Sequence, residues 1–248
     1  MNYEEILDAL ETGSMRAASP SKDGWVVNIE VKQAILQSFK EGVNTSYEGI
    51  YEGFVDKHNL PPQYFSPEDR VRLVPGGSSV RRGAYIAPSV IIMPPAYINV
   101  GAYVGEGSMV DSHALVGSCA QVGKGVHLSA AVQLGGVLEP IGMHPVIIED
   151  ECFIGAGVSI VEGIMVQKRA IIAPGVILSK SIPVYDAVKE EIRPRGEAIP
   201  EGAVVIPGSR PMKGDWANSQ GLSMQCPIIV KYRDQSTDAS TELEQALR

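Results

Sequence analysis

Residues 98–122 read INVGAYVGEGSMVDSHALVGSCAQV. Aliphatic side chains stand at Ile98, Val104, Val110, Val116 and Val122, each six residues after the last. The same spacing runs back through Ile92 and Ile86 to Val80 and forward through Leu128 to Leu134 without a break. Four residues after each of them comes a small or β-branched residue: Ala84, Val90, Ala96, Ala102, Ser108, Ala114, Ala120, Val126 and Val132. A second block resumes at Ile148 and continues through Ile154, Ile160, Val166, Ile172 and Leu178, with Cys152, Val158, Ile164, Ala170 and Val176 at the small position. An α-helix needs apolar positions about 3.6 residues apart and an amphipathic strand needs alternation, so a strict six fits neither. It fits a coil in which six residues build one flat face and roughly eighteen build one turn. On that reading Val80, Ile98, Val116 and Leu134 stack in one inward column, and Ile92, Val110 and Leu128 in another.

A coil of stacked strands exposes apolar interior and unpaired backbone at both ends, so it needs caps. Helical spacing in EEILDALETG (residues 4–13) and VNIEVKQAILQSFKEG (residues 27–42) puts Ile6 and Leu10, then Val31, Ile35, Leu36 and Phe39, on apolar faces. CPIIVKYRD (residues 226–234) reads as a short strand, followed by a polar STDAS linker and a helix-like TELEQALR. The expected architecture is therefore mainly β, with an N-terminal helical or mixed domain over 1–75, the coil over 76–183 and a short β/α cap over 184–248. From Leu134 to Ile148 the spacing is fourteen, two more than two whole hexads, and the segment GVLEPIGMHP should leave the coil as an external loop near 137–147. Loops on rigid scaffolds often carry function.

At 248 residues the chain can bury a sizeable core without staples. Its three cysteines, Cys119, Cys152 and Cys226, are too few for a disulfide framework and lack zinc-site spacing, which points to a reducing compartment. The N-terminal stretch MNYEEILDALETGSM is acidic and amphipathic, and no apolar run approaches membrane-spanning length, so the expectation is a soluble cytoplasmic protein. The net charge of -8 argues against a general nucleic-acid surface.

A hexapeptide coil serves several chemistries, so the period alone names no reaction. Local sequence is more specific. The stretches GAYVGEGSMVDSHALVGSCAQVGKGVHLS (101–129), GGVLEP (135–140) and VIIEDECFIGAGVSIVEG (146–163) resemble the central region of the tetrahydrodipicolinate N-succinyltransferases. DGWVVNIEVKQAILQSF (23–39) and VRLVP (71–75) resemble that family's N-terminal domain, and an IIVK strand follows the coil. The resemblance covers most of residues 23–232. It implies a left-handed parallel β-helix and a homotrimer. It also implies transfer of a succinyl group from the co-substrate succinyl-CoA to the amino group of ring-opened tetrahydrodipicolinate, a step of lysine and diaminopimelate biosynthesis. No metal or prosthetic group is implied.

By the same resemblance, Arg72 of VRLVP matches the family's substrate-binding arginine and Asp111 of MVDSH its substrate-contacting aspartate. Such chemistry suits the residue types: a planar guanidinium matches a carboxylate, and an acid beside the amine can anchor it or take its proton. Without the motif, Arg72 would read as a solvated surface residue and Asp111 as a corner residue bonded to backbone. Glu162 of the VEG triplet is a second candidate acid that reads equally as an exposed coil residue. Two departures from the family stand out: Ser159 occupies a position where several relatives carry a glutamate, and His113 one where tryptophan is common.

Histidine is the natural base near neutral pH, which draws attention to His58, His113, His127 and His144, although the resemblance assigns none of them a role. His113 alone lies beside Asp111. Cys119 reads as an outward position and a conceivable acyl carrier, Cys152 as core; direct transfer is simpler, because no activating partner for Cys119 can be assigned. Lys168, Arg169, Lys180 and Arg210 are candidate contacts for CoA phosphates, and the Gly135–Gly136 pair would let a thin pantetheine arm approach backbone, a tight loop exit being the competing reason. The alternatives are a tetrahydrodipicolinate N-acetyltransferase or related amino-dicarboxylate enzyme, and a catalytically silent β-helix assembly protein.

Overall fold

The computed structural model describes residues 1–234. Two-residue strands repeat every six residues and pair in parallel with the strand three hexads on, which builds a three-sided coil. Face A carries Tyr85–Ile86, Tyr103–Val104, Gln121–Val122, Ile147–Ile148 and Met165–Val166. Face B carries Arg72–Leu73, Ile91–Ile92, Met109–Val110, His127–Leu128, Phe153–Ile154 and Ile171–Ile172. Face C carries Ser79–Val80, Tyr97–Ile98, Leu115–Val116, Gln133–Leu134, Ser159–Ile160 and Ile177–Leu178.

In each strand the second residue points inward, and the registers Val80 with Ile98, Ile98 with Val116 and Val116 with Leu134 form the expected column. Ile92, Val110 and Leu128 form the other. Ile98, Val116, Leu128 and Leu134 are fully buried, so cutting one of the larger side chains back to alanine should cost about 2–5 kcal/mol. At most corners the backbone becomes left-handed at the third residue after the inward aliphatic. Glycine fills that position at Gly107 and Gly125, while His113, Cys119, Ala131, Glu151 and Arg169 adopt it with φ between 59° and 66°.

The external loop departs from expectation in its size. Gln121 registers with Ile147 on face A, and Gln133 with Ser159 on face C, so Leu134 and Ile148 lie on consecutive faces. Fourteen residues separate them where one hexad takes six, so eight residues are inserted at one corner, not two. Periodicity reports position within a hexad but not which face is next, and this allowed the miscount.

Two N-terminal helices pack beside the early turns: α1 (Tyr3–Glu11), started by an Asn2–Glu5 capping box, and α2 (Ile29–Glu41), capped by Asn28. Ile6, Leu7, Leu10, Val31, Ile35 and Leu60 form a second core with Val100 and Cys119 of the coil. Arg82 ties α1 down through Glu4 at 2.7 Å and Asp8 at 2.8 Å. The buried Lys32 of α2 donates from Nζ to the Met143 carbonyl at 2.6 Å, joining that helix to the external loop.

At the far end, strand Ala203–Pro211 continues face B beside Ile171–Ile172 and pairs antiparallel with Ser223–Tyr232. That last strand is ten residues long, longer than the short one expected. The polar linker and helix-like segment expected after residue 234 lie outside the described residues.

Candidate active site

Asp111 follows Met109–Val110 at the edge between faces B and C. Its Oδ1 accepts the Ser112 N–H at 2.7 Å, which is the corner role expected of an aspartate, and leaves Oδ2 without a partner among the described residues. Arg72 lies on the first strand of face B, paired in register with Ile91, which pairs with Met109. Its side chain is exposed and makes no ion pair among the described residues. Two interstrand steps, about 10 Å along the coil, separate its row from that of Asp111. Arg72 and Asp111 are thus on the same side of the coil.

Glu162 lies on a different edge, between faces C and A, where its Oε2 accepts the Lys180 backbone N–H at 2.8 Å. Within one chain the width of face C separates it from Asp111. Ser159 lies outward on face C between Gln133 and Ile177.

The edge of Glu162 also carries Gly135, Gly136, Lys180 and the external loop. A Cβ on Gly135 would meet Val161 at 3.0 Å, and one on Gly136 would meet the Ser118 backbone nitrogen at 2.9 Å. Both glycines have a packing reason of their own. Gly163, with φ of 70°, lets the loop's His144 carbonyl lie against the corner where a side chain would block it.

The proposed phosphate contacts divide among regions. Lys168 and Arg169 sit on the edge between faces A and B, where Arg169 is 3.9 Å from Glu151. Only Lys180 shares an edge with the glycine pair, and Arg210 belongs to the C-terminal hairpin.

The histidines separate as well. His113 is exposed at the corner of Asp111, and its ring makes no hydrogen bond to that carboxylate. His127 is buried on face B, edge-on to Phe153 at 4.9 Å. The ring of His58 accepts the Val43 N–H at 3.1 Å in the N-terminal region, and His144 is an exposed loop residue.

Cys119 corrects the sequence expectation: its corner faces out of the coil, but α2 covers it and it is fully buried. Burial pushes its thiol up to about 12, so it is no carrier of acyl groups at neutral pH. Cys152 is inward and buried as expected, its thiol likewise pushed up to about 12. Among the described residues no group of three or more His, Cys, Asp and Glu is arranged to hold a metal ion, and no helix is long and apolar enough to cross a membrane.

A three-sided parallel coil with an acid and an arginine on one side and a glycine-lined edge on another fits the hexapeptide-repeat transferases. The family model "Hexapeptide repeat of succinyl-transferase" matches residues 145–180, and "Tetrahydrodipicolinate N-succinyltransferase N-terminal" matches residues 3–40. The chain is 45% identical over 248 residues to the 2,3,4,5-tetrahydropyridine-2,6-dicarboxylate N-succinyltransferase of Coxiella burnetii (strain Dugway 5J108-111), covering 98% of this chain and 88% of the relative. Identity to the enzyme of that name from Nitrosococcus oceani is also 45%, over 99% of this chain and 88% of the relative. The crystal structure of a proposed 2,3,4,5-tetrahydropyridine-2-carboxylate N-succinyltransferase from Campylobacter jejuni aligns with a TM-score of 0.50 at 18% identity, covering 97% of this chain and 64% of that one. At that identity the likeness speaks for the fold alone. The chain belongs to the 2,3,4,5-tetrahydropyridine-2,6-dicarboxylate N-succinyltransferase family.

Proposed function

We propose that this protein moves a succinyl group from succinyl-CoA to the amino nitrogen of ring-opened tetrahydrodipicolinate, in lysine and diaminopimelate biosynthesis. The near-full-length identity to relatives of that name is the observation that carries the reading. The amine attacks the thioester carbonyl, an N–C bond forms, the C–S bond breaks, and CoA leaves as the thiol while the amine loses a proton. Arg72 binds an acceptor carboxylate through its planar fork of donors. Asp111, whose Oδ2 is unengaged, holds the amine or takes its proton. Glu162 has a weaker claim, because its carboxylate already serves the Lys180 backbone.

The coil is left-handed on this reading and the protein a homotrimer, with residues 1–71 and 184–234 closing the two ends of a coil whose first strand is Arg72–Leu73. Cyclic packing sets different surfaces of neighbouring coils against each other. It would bring the edge holding Asp111 in one protomer towards the edge holding Gly135, Gly136 and Glu162 in the next, which one chain by itself keeps apart. Three free, buried cysteines suit a reducing cytoplasm. One assay tests the function: release of free thiol from succinyl-CoA and from acetyl-CoA with an amino-dicarboxylate acceptor. Turnover with succinyl-CoA supports it, a preference for acetyl-CoA selects the acetyltransferase reading, and no turnover with either rejects both.

A further inference from the structure

Lys32 is the largest fully buried side chain among the described residues, and its amine makes no ion pair there. Taking an ammonium out of water with no carboxylate beside it is costly, and an apolar residue of similar size would suit the inner face of α2 better. What the lysine has instead is the Met143 carbonyl of the external loop, 2.6 Å from Nζ. Burial pushes its amine below the usual lysine range, the mark of surroundings that compensate its charge only in part.

The loop has few other anchors. It leaves the coil where the Val137 N–H bonds to the Ser118 carbonyl at 3.2 Å, and it returns where the His144 carbonyl lies against Gly163. Between those points Glu139, Pro140 and Gly142 are exposed, and the Met143 N–H bond to the Pro140 carbonyl at 2.9 Å is internal to the loop. Among the described residues, the Lys32 amine supplies the hydrogen bond that ties residues 138–143 to another segment. Leu138 packs on the core of the N-terminal helices and Met143 on the core of the coil, so the loop bridges the two. Helix and loop also occupy successive turns of one edge. There α2 covers the corner of Cys119, the loop follows after Gly135 and Gly136, and Glu162 and Gly163 lie one turn further on.

We propose that Lys32 is a positioning residue for the reaction: its buried amine, acting through the Met143 carbonyl, holds the external loop in one place against the edge that carries Glu162. It touches no substrate. The helix carries a charge that its own packing does not need, and what the charge secures is a fixed loop beside the site, where a small displacement is enough to slow a reaction. The inference rests on the reading of that edge as part of the reaction site, but the state of the loop can be measured apart from turnover.

The test compares the full chain with its Lys32→Met variant, which keeps the bulk of the side chain and removes the donor and the charge. Amide hydrogen exchange over residues 138–143 should quicken about tenfold in the variant, with exchange in the coil strands unchanged. The melting temperature should stay level or rise, because an apolar group replaces a buried unpaired charge. In turnover, kcat/KM for succinyl-CoA should fall about tenfold, mainly through KM, while KM for the acceptor, bound on the side of Arg72 and Asp111, changes less than about twofold. A Lys32→Met protein that fails to fold, or melts well below wild type, would make the lysine a structural residue and overturn the proposal. So would an active wild type whose loop exchange and KM the substitution leaves unchanged. An inactive wild type whose loop is loosened by Lys32→Met would refute the catalytic reading and leave the anchor standing.

Discussion

The Glu162 carboxylate accepts the backbone N–H of Lys180 at 2.8 Å, bracing one turn of the coil against the next. Asp111 differs in a way that matters for chemistry: Oδ1 is bonded to the Ser112 N–H at 2.7 Å, and Oδ2 has no partner among the described residues. Asp111→Asn should therefore lower kcat by roughly a hundredfold with the fold retained, the scale of losing a general base or a charge-assisted contact. Glu162→Gln keeps an oxygen for the Lys180 N–H and should be milder. Steady-state kinetics with melting temperatures decide the matter, and wild-type turnover in a folded Asp111→Asn variant would count against its role.

Arg72 is exposed on the first strand of face B and makes no ion pair among the described residues, so its guanidinium is available to a carboxylate. Arg72→Lys keeps the charge and removes the fork. We expect KM for the acceptor to rise, with a loss of about 2 kcal/mol in kcat/KM, while KM for the acyl-CoA stays nearly constant. Equal rises for both substrates would make the residue structural.

Face B presents Ile91, Met109, Phe153 and Ile171 outward at intermediate exposure, with His127 between Met109 and Phe153, a largely apolar column suited to burial against a neighbour. Sedimentation equilibrium at micromolar concentration should return three times the 26.5 kDa chain mass. A monomer retaining full activity would eliminate a site shared between protomers.

Cys119 and Cys152 are held as neutral thiols by burial, with folded pKa values of about 12. An unfolded thiol ionises near 8.5. The unfolded chain therefore binds fewer protons than the folded one between those values, and stability falls as pH rises through that window, by up to about 1.4 kcal/mol per pH unit for each thiol. Well below the unfolded value the two contribute almost no slope. The fall in melting temperature between pH 8 and pH 10 should be smaller in a Cys119→Ala, Cys152→Ala double variant than in wild type, and an equal fall in both would show that the thiols do not titrate on unfolding.

Sequence determined the coil because a hexad repeat is a local code: an inward aliphatic, a corner, a small inward residue, repeated from Val80 to Leu178 with a single interruption. The two inward columns, the helices over residues 3–11 and 29–41 and the family's motifs were legible in the same way, since each depends on neighbours a few residues apart. What the repeat cannot encode is distance across the coil. Whether Leu134 and Ile148 are one face apart or two is a matter of backbone pairing, and only the register of Gln121 with Ile147 decides it. Cys119 is outward by its place in the hexad and buried by α2, whose residues 29–41 lie far earlier in the chain. Asp111 and Glu162, both corner residues in sequence, lie on different edges. Local periodicity sets which way a side chain points; what it meets there depends on contacts between segments far apart in the chain, and these exist only in the folded molecule.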